Sequence, residues 1–410
     1  MRQLSLVIVA LVLGSVGSAA QDWAQWRGPA RDGTVPAAVI PKAWPAATTR
    51  TWQVEVGEGY ASPVVAGGRA FIHSRRDPDE VVTAVDLASG KVVWQQTYPA
   101  AFQKNQYARQ MAKGPNSTPL VAGTHLFTLG VTGILSAWNV ANGNLAWRQD
   151  YSASIDTSKL FCGTAMSPAM EGGALIVQVG SDVHGGRVLA LDPATGKERW
   201  VTKGLGPGYA SPLAVTIMGT RQLITLTNGS LIGLNAGTGA PLWSVPFPDE
   251  WHENIASPVW TGTHVVVSGT RQGTHAYAIA LANGRWTATQ AWRNAEVTMY
   301  TSSPVYADGR IYGMSSKRRG QLVALDAATG TLKWATQGRD GNHASILLAP
   351  RHVMFLTDGG ALIIANRGTD AYSEAKRYEV GASATWSLPV LLPDGLLVRE
   401  ATGVTRWMWQ

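Results

Sequence analysis

Along most of the chain, short apolar runs alternate with turns rich in Gly, Asp and Asn. Gln321-Leu-Val-Ala-Leu325 has the length and composition of a strand, and Ala174-Leu-Ile-Val177 and His264-Val-Val-Val267 read as strands buried on both faces. Five segments superimpose: Ala84–Trp94 (AVDLASGKVVW), Ala137–Trp147 (AWNVANGNLAW), Ala190–Trp200 (ALDPATGKERW), Gly233–Trp243 (GLNAGTGAPLW) and Ala324–Trp334 (ALDAATGTLKW). In each, an Asp or Asn is followed four positions on by Gly and four beyond that by Trp. The carboxylate or amide oxygens of Asp86, Asn139, Asp192, Asn235 and Asp326 suit the N–H groups of a turn, and Gly90, Gly143, Gly196, Gly239 and Gly330 supply a positive φ. The pattern predicts a hairpin whose return strand carries an indole able to fill the wedge between neighbouring sheets.

A second marker precedes each hairpin: Tyr60-Ala-Ser-Pro63, Asn116-Ser-Thr-Pro119, Ala165-Met-Ser-Pro168, Tyr209-Ala-Ser-Pro212, Ile255-Ala-Ser-Pro258 and Thr301-Ser-Ser-Pro304, with weaker copies at His343-Ala-Ser-Ile346 and Trp386-Ser-Leu-Pro389. Proline at the start of a strand is tolerated where its missing N–H is not needed, as at the innermost strand of a blade. Marker, apolar strand and hairpin together make four strands per repeat, which predicts an all-β, eight-bladed β-propeller of four-stranded antiparallel blades over residues 49–410. The last repeat, with strands near Ser383–Leu392, Gly395–Glu400 and Gly403–Trp409, lacks an outer strand, and Thr49–Glu55 is an outer strand without a blade. Pairing the two closes the ring. The expected docking residues are Trp52, Trp94, Trp147, Trp200, Trp243, a displaced Trp292, Trp334 and a substituted Tyr378.

Composition fits this picture: 45 Gly and 17 Trp, with only 15% charged residues, describe a turn-dense, aromatic-packed chain. Arg2, the apolar run Leu4–Leu13 and the small residues Ser18, Ala19 and Ala20 read as a signal peptide over residues 1–20, followed by an N-terminal extension over 21–48. That gives a periplasmic or secreted expectation, with no cysteine near the cleavage point for a lipid anchor and no later run of the roughly 18 apolar residues a membrane span needs. Cys162, the single cysteine, excludes an internal disulfide and a cysteine-based zinc cage, and reads as a small buried filler. The net charge of +7 carries no base-reading motif, so nucleic acid is not an expected partner, and Arg75–Arg76 and Lys317–Arg319 read as solvated loop charge.

The A-x-D-x-x-T-G-x-x-x-W hairpin, most faithful at Ala190–Trp200 and Ala324–Trp334, resembles the tryptophan-docking motif of the pyrroloquinoline-quinone-like propellers over about residues 49 to 410. Trp23-Ala-Gln-Trp-Arg-Gly-Pro-Ala-Arg-Asp-Gly33 resembles the short N-terminal extension of secreted bacterial members. The resemblance implies one of two functions. One is a quinoprotein dehydrogenase that oxidises alcohols or sugars with pyrroloquinoline quinone and calcium at the axis. The other is a cofactor-free propeller that binds partner proteins, as in the outer-membrane β-barrel assembly machinery. The chain has no adjacent cysteine pair, no C-x-x-C-H and no recognisable calcium-ligand trio, so the expectation leans to a non-catalytic scaffold for envelope proteins or a small ligand, with no catalytic residue, cofactor or metal.

The site is expected where the inner strands converge. Glu58, Tyr60, Lys113, Asn116, Tyr209, His252, Glu253, Asn254, Tyr300, Asn342, His343 and Trp386 precede inner strands and are expected to ring one axial mouth, hydrogen-bonding groups among aromatic walls. Two connections are long: Trp94 to Pro119, about 25 residues, with Tyr98, Phe102, Gln106, Tyr107 and Arg109; and Trp147 to Pro168, about 21, with Tyr151, Asp156, Lys159 and Phe161. They are expected to form a partial lid. No HExxH or His-x-His spacing occurs, Asp182 and His184 sit in a Gly-rich turn, and the serines before proline recur in nearly every repeat, so they belong to the fold.

Overall fold

The computed structural model describes residues 22–108, 111–156, 160–181 and 185–410. The signal-peptide segment and Arg109, Lys159, Asp182 and His184 lie outside the described residues. The repeat builds as its residues demand. In Ala324–Trp334, Asp326 Oδ1 accepts the N–H groups of Ala328 and Thr329 at 3.1 and 3.0 Å, and Gly330 adopts a φ of +73°. The strands Val305–Ala307, Arg310–Ser315, Gln321–Asp326 and Leu332–Ala335 pair in that order, each antiparallel to the next. The same unit occurs in eight separate four-stranded sheets among the described residues, where helix is confined to three short 3-10 turns. The inner strands of blades 1 to 8 are Val64–Ala66, Leu120–Ala122, Ala169–Glu171, Leu213–Ile217, Val259–Trp260, Val305–Ala307, Ala344–Leu348 and Val390–Leu392.

The hairpin glycine does more than turn the chain. Trp52, Trp94, Trp147, Trp200 and Trp292 each lie over the hairpin glycine of the following blade: a Cβ on Gly90, Gly143, Gly196, Gly239 or Gly330 would stand 2.7, 2.6, 2.8, 2.4 or 2.3 Å from the ring. The indole N–H groups of Trp94, Trp147 and Trp292 donate to the carbonyls of Val140, Pro193 and Ala327 at 3.0, 3.0 and 3.1 Å, so the motif is an inter-blade latch. Trp292, expected as displaced, is in register, opposite Ala276 as Trp94 is opposite Ala84; the fifth hairpin simply runs longer beyond it. Where the next blade lacks the platform glycine, the latch fails. Trp243 donates to Gln222 of its own blade at 2.8 Å, and the Trp334 N–H is buried without a partner. Tyr378 does not stand at the docking position, which Lys376 holds beside the strand bulge; it packs on Trp409 at 5.6 Å and donates to the Pro45 carbonyl at 2.7 Å.

Closure is as the sequence implies: Thr48–Glu55 forms the outer strand of blade 8, paired from Thr48 opposite Trp409 to Glu55 opposite Gly403 with one bulge between Arg50 and Trp52. Before that strand, the extension crosses the axis. Trp23 exchanges backbone hydrogen bonds with Val65 of blade 1, Ala24 accepts from Val121 of blade 2, and Gly33 and Val35 bond Leu348 of blade 7. Arg75 departs from the solvated-loop expectation: it is buried in the strand Arg69–Arg76, donates to the Ala100 carbonyl at 2.6 Å and pairs with Asp77. Its neighbour Glu80 is buried with it. Burial pushes the Glu80 carboxyl up, but His73, Tyr98 and the Val131 N–H prevail and hold it below the ordinary carboxylate range.

Candidate functional site

The serine or threonine that precedes the inner strand in blades 1 to 6 forms a belt around the axis. Leu388 N–H donates to Ser62 Oγ at 2.9 Å, Ser62 N–H to Thr118 at 3.1, Thr118 N–H to Ser167 at 3.0, Ser167 N–H to Ser211 at 2.9, Ser211 N–H to Ser257 at 2.9 and Ser257 N–H to Ser303 at 3.0 Å. Each hydroxyl therefore ties two blades, and all six line an axial cavity of about 950 Å³. Between blades 7 and 8, where the marker is weakest in sequence, an aromatic contact stands instead: the His343 imidazole stacks on Trp386 at 5.0 Å and 11°. His343 also meets Thr301 Oγ1 at 3.0 Å and Ser345 Oγ at 3.2 Å, and burial pulls its pKa down to about 4, so it is neutral at pH 7.

Above the belt the cavity is walled by Tyr60, Asn116, Tyr209, Glu253, Tyr300, Asn342, His343 and Trp386, all expected there. Tyr60 packs on Trp386 at 5.4 Å, and its hydroxyl accepts the Ala112 N–H; the Tyr209 hydroxyl accepts the Cys162 N–H at 3.2 Å. Burial raises the Glu253 carboxyl, opposed by its hydrogen bond with Tyr300, and burial together with that carboxylate raises the Tyr300 phenol.

Four expected residues fall outside the lining. Asn254 is fully buried, its side-chain amide donating to the carbonyls of Thr227 and Phe247 at 2.8 and 2.9 Å, and its backbone carbonyl receives the N–H groups of Tyr209 and Ala210. His252 turns to Asn228 at 3.1 Å, with φ +57°. Lys113 pairs with Asp77 at a separate shallow recess, and Glu58 Oε2 accepts the Lys113 N–H at 3.4 Å. Their spacing from proline matched the lining residues; their partners, far away in sequence, drew them aside.

From the two long connections, Tyr107 and Phe161 line the cavity. With Trp251 these two form a triangle of rings at the cavity edge, with centroids 5.9, 6.0 and 6.3 Å apart, and Tyr107 is 69% and Trp251 41% exposed. Trp251 was not foreseen, its loop being of ordinary length. Cys162 is not core filler: it is half-buried in the cavity wall, with burial pushing its thiol up to about 11. Lys317 and Arg319 are both exposed in their turn, as solvated loop charge would be; Lys317 pairs with Glu296, and Arg319 reaches the cavity edge. The floor is Trp26 and Arg27 of the extension.

A calcium-held quinone needs several carboxylate or amide oxygens converging on one ion. Glu253 is the one carboxylate among the described lining residues and is engaged with Tyr300, Asn342 is tied to Asp358 at 2.9 Å, and the Asn116 amide donates to the Cys162 carbonyl at 3.0 Å. No three His, Cys, Asp or Glu side chains among the described residues are grouped to hold a metal. Among the lining oxygens, the Asn116 Oδ1 is buried without a partner.

The profile of the family described as outer membrane protein assembly factor BamB matches residues 32–216, 186–337 and 287–403. The chain is 25% identical over 317 residues to the outer membrane protein assembly factor BamB of Yersinia pestis, covering 71% of this chain and 73% of that one. It is 29% identical over 228 residues to polyvinylalcohol dehydrogenase of a Sphingopyxis species, covering 48% of this chain but 33% of that longer enzyme. Among solved structures, BamB from Moraxella catarrhalis superimposes with a TM-score of 0.62 at 14% identity, over 89% of this chain and 98% of that one, a likeness of fold. The chain belongs to the family of the outer membrane protein assembly factor BamB.

Proposed function

We propose that this protein is a cofactor-free binding propeller of the bacterial envelope, which holds an apolar segment of a partner protein at its axial mouth during outer-membrane protein assembly. The observation that carries the reading is the cluster of Tyr107, Phe161 and Trp251, the first and last of them exposed, at the edge of a cavity with aromatic walls. Rigid aromatic rings offer large contact area at small entropic cost, which makes them energetic anchors of protein interfaces. The assembly role is supported by the BamB relatives, and the envelope location by those relatives and by the leader-like residues 1–20. Among the described residues no helix is long and apolar enough to cross a membrane.

The similarity to polyvinylalcohol dehydrogenase supports a second reading, oxidation of alcohols or sugars with pyrroloquinoline quinone and calcium. Calorimetric titration of that quinone with calcium into the purified protein, followed by an artificial-acceptor dehydrogenase assay on alcohols and sugars, separates the two. The binding reading expects no saturable heat and no turnover. Stoichiometric binding with turnover replaces it by the enzymatic one.

A further inference from the structure

The extension Trp23–Gly33 carries two arginines that partner recognition at the mouth leaves unused. Arg27 and Arg31 are 2% and 7% exposed, and both guanidinium groups stack on Trp26, at 5.3 and 5.7 Å from its ring. The acceptors they reach are neutral. Arg27 donates to the carbonyls of Asp32 and Pro304 at 3.0 and 2.6 Å; Arg31 donates to those of Pro168 and Ser167 at 2.8 and 3.2 Å and to Gln25 Oε1 at 3.4 Å. The Arg31 Nε is buried with no partner. The carboxylate that favours the Arg27 charge, Asp32, is engaged in capping the Thr34 N–H at 2.8 Å.

Two adjacent buried cations are costly unless a counter-charge meets them. Burial pulls Arg27 down to about 10, and burial with the Arg27 charge pulls Arg31 down to about 9, so both are still cationic at neutral pH. Arg27 lines the cavity floor, beneath the hydroxyl belt. Each belt oxygen already accepts a neighbouring N–H, which leaves its own O–H free to donate inward.

We propose that the floor of the axial cavity is an oxyanion site, in which Arg27, reinforced by Arg31, and the belt hydroxyls hold a carboxylate or phosphate group of a small ligand admitted through the mouth. The site goes beyond the partner-binding reading and does not depend on it. A guanidinium with donors to spare, facing a ring of hydroxyl donors, matches the several lone pairs of such a group.

The test is a thermal-shift titration of the purified protein with succinate, citrate and inorganic phosphate, against sodium chloride of equal ionic strength. The expected result is a saturable rise in Tm with at least one of these probes, lost in R27Q and kept in R50Q, whose arginine is exposed on the outer strand of blade 8. Which probe acts tells a carboxylate from a phosphate ligand. No saturable rise with any probe, or a rise undiminished in R27Q, overturns the proposal. Should R27Q not fold, crystals of the unaltered protein soaked in selenate decide: an anomalous peak within hydrogen-bond distance of Arg27 supports the site, and a map without one overturns it.

Discussion

A glycine at positive φ is replaced at modest cost when space surrounds it and at high cost when a ring covers it. Gly143 and Gly284 have φ of +76° and +74°, but a Cβ on Gly143 would meet the Trp94 ring at 2.6 Å, whereas nothing lies within 4 Å of one on Gly284. Gly284→Ala is expected to cost about 1–2 kcal/mol, from the backbone alone. Gly143→Ala is expected to add about 1–3 kcal/mol of overpacking, read as a lower denaturation midpoint. Equal costs would remove the platform role. The sequence shows the glycine's turn function at once; that it also seats the preceding blade's indole emerges only when the blades are side by side. His343 makes a second prediction at this scale. Its folded pKa of about 4 lies below the ordinary value, so its stabilising effect is complete above about pH 6.5 and is lost as pH falls toward 4. That loss amounts to about 3 kcal/mol, and H343Q is expected to flatten the stability profile over this window. An unchanged slope in the variant contradicts the assignment.

Within the blades, the element that most needs its neighbours is the start of the inner strand. Its serines were legible as part of the fold because they recur in nearly every repeat, but their partners were not, since five of the six bonds join residues 44 to 56 positions apart and the sixth, which closes the ring, joins residues 326 apart. Ser167 and Ser117 make the contrast measurable. Ser167 Oγ receives the buried Thr118 N–H, so Ser167→Ala orphans that donor and is expected to cost about 1–3 kcal/mol and to speed exchange of the Thr118 amide. The Ser117 hydroxyl is buried without a partner, and Ser117→Ala is expected to be neutral or stabilising. If the two substitutions behave alike, the belt is not a tie between blades. The same reasoning explains the site residues that were misplaced. Asn254 has the spacing of a lining residue, yet its amide closes the backbone between blades 4 and 5.

Across the whole molecule, blade number, closure by Thr48–Glu55 and the position of the mouth all follow from two markers repeated along the chain. The long connections pointed to the mouth, because loops on a rigid ring often carry binding residues, and Tyr107 and Phe161 of those loops line the cavity. The floor was silent: residues 23–33 read as an appendage, and only the folded chain sets Trp26 and Arg27 under the cavity. The proposed function requires that the mouth, and not the outer rim, meet a partner. It is tested most directly by placing a photo-crosslinking amino acid at Tyr107 or Trp251, and as a control at Val92, which is 49% exposed on the outer strand of blade 1, in cells of the native host. The expected result is adducts from the two mouth positions with identified outer-membrane assembly proteins, and none from Val92. Equal labelling from all three positions, or no adduct from the mouth, would contradict it.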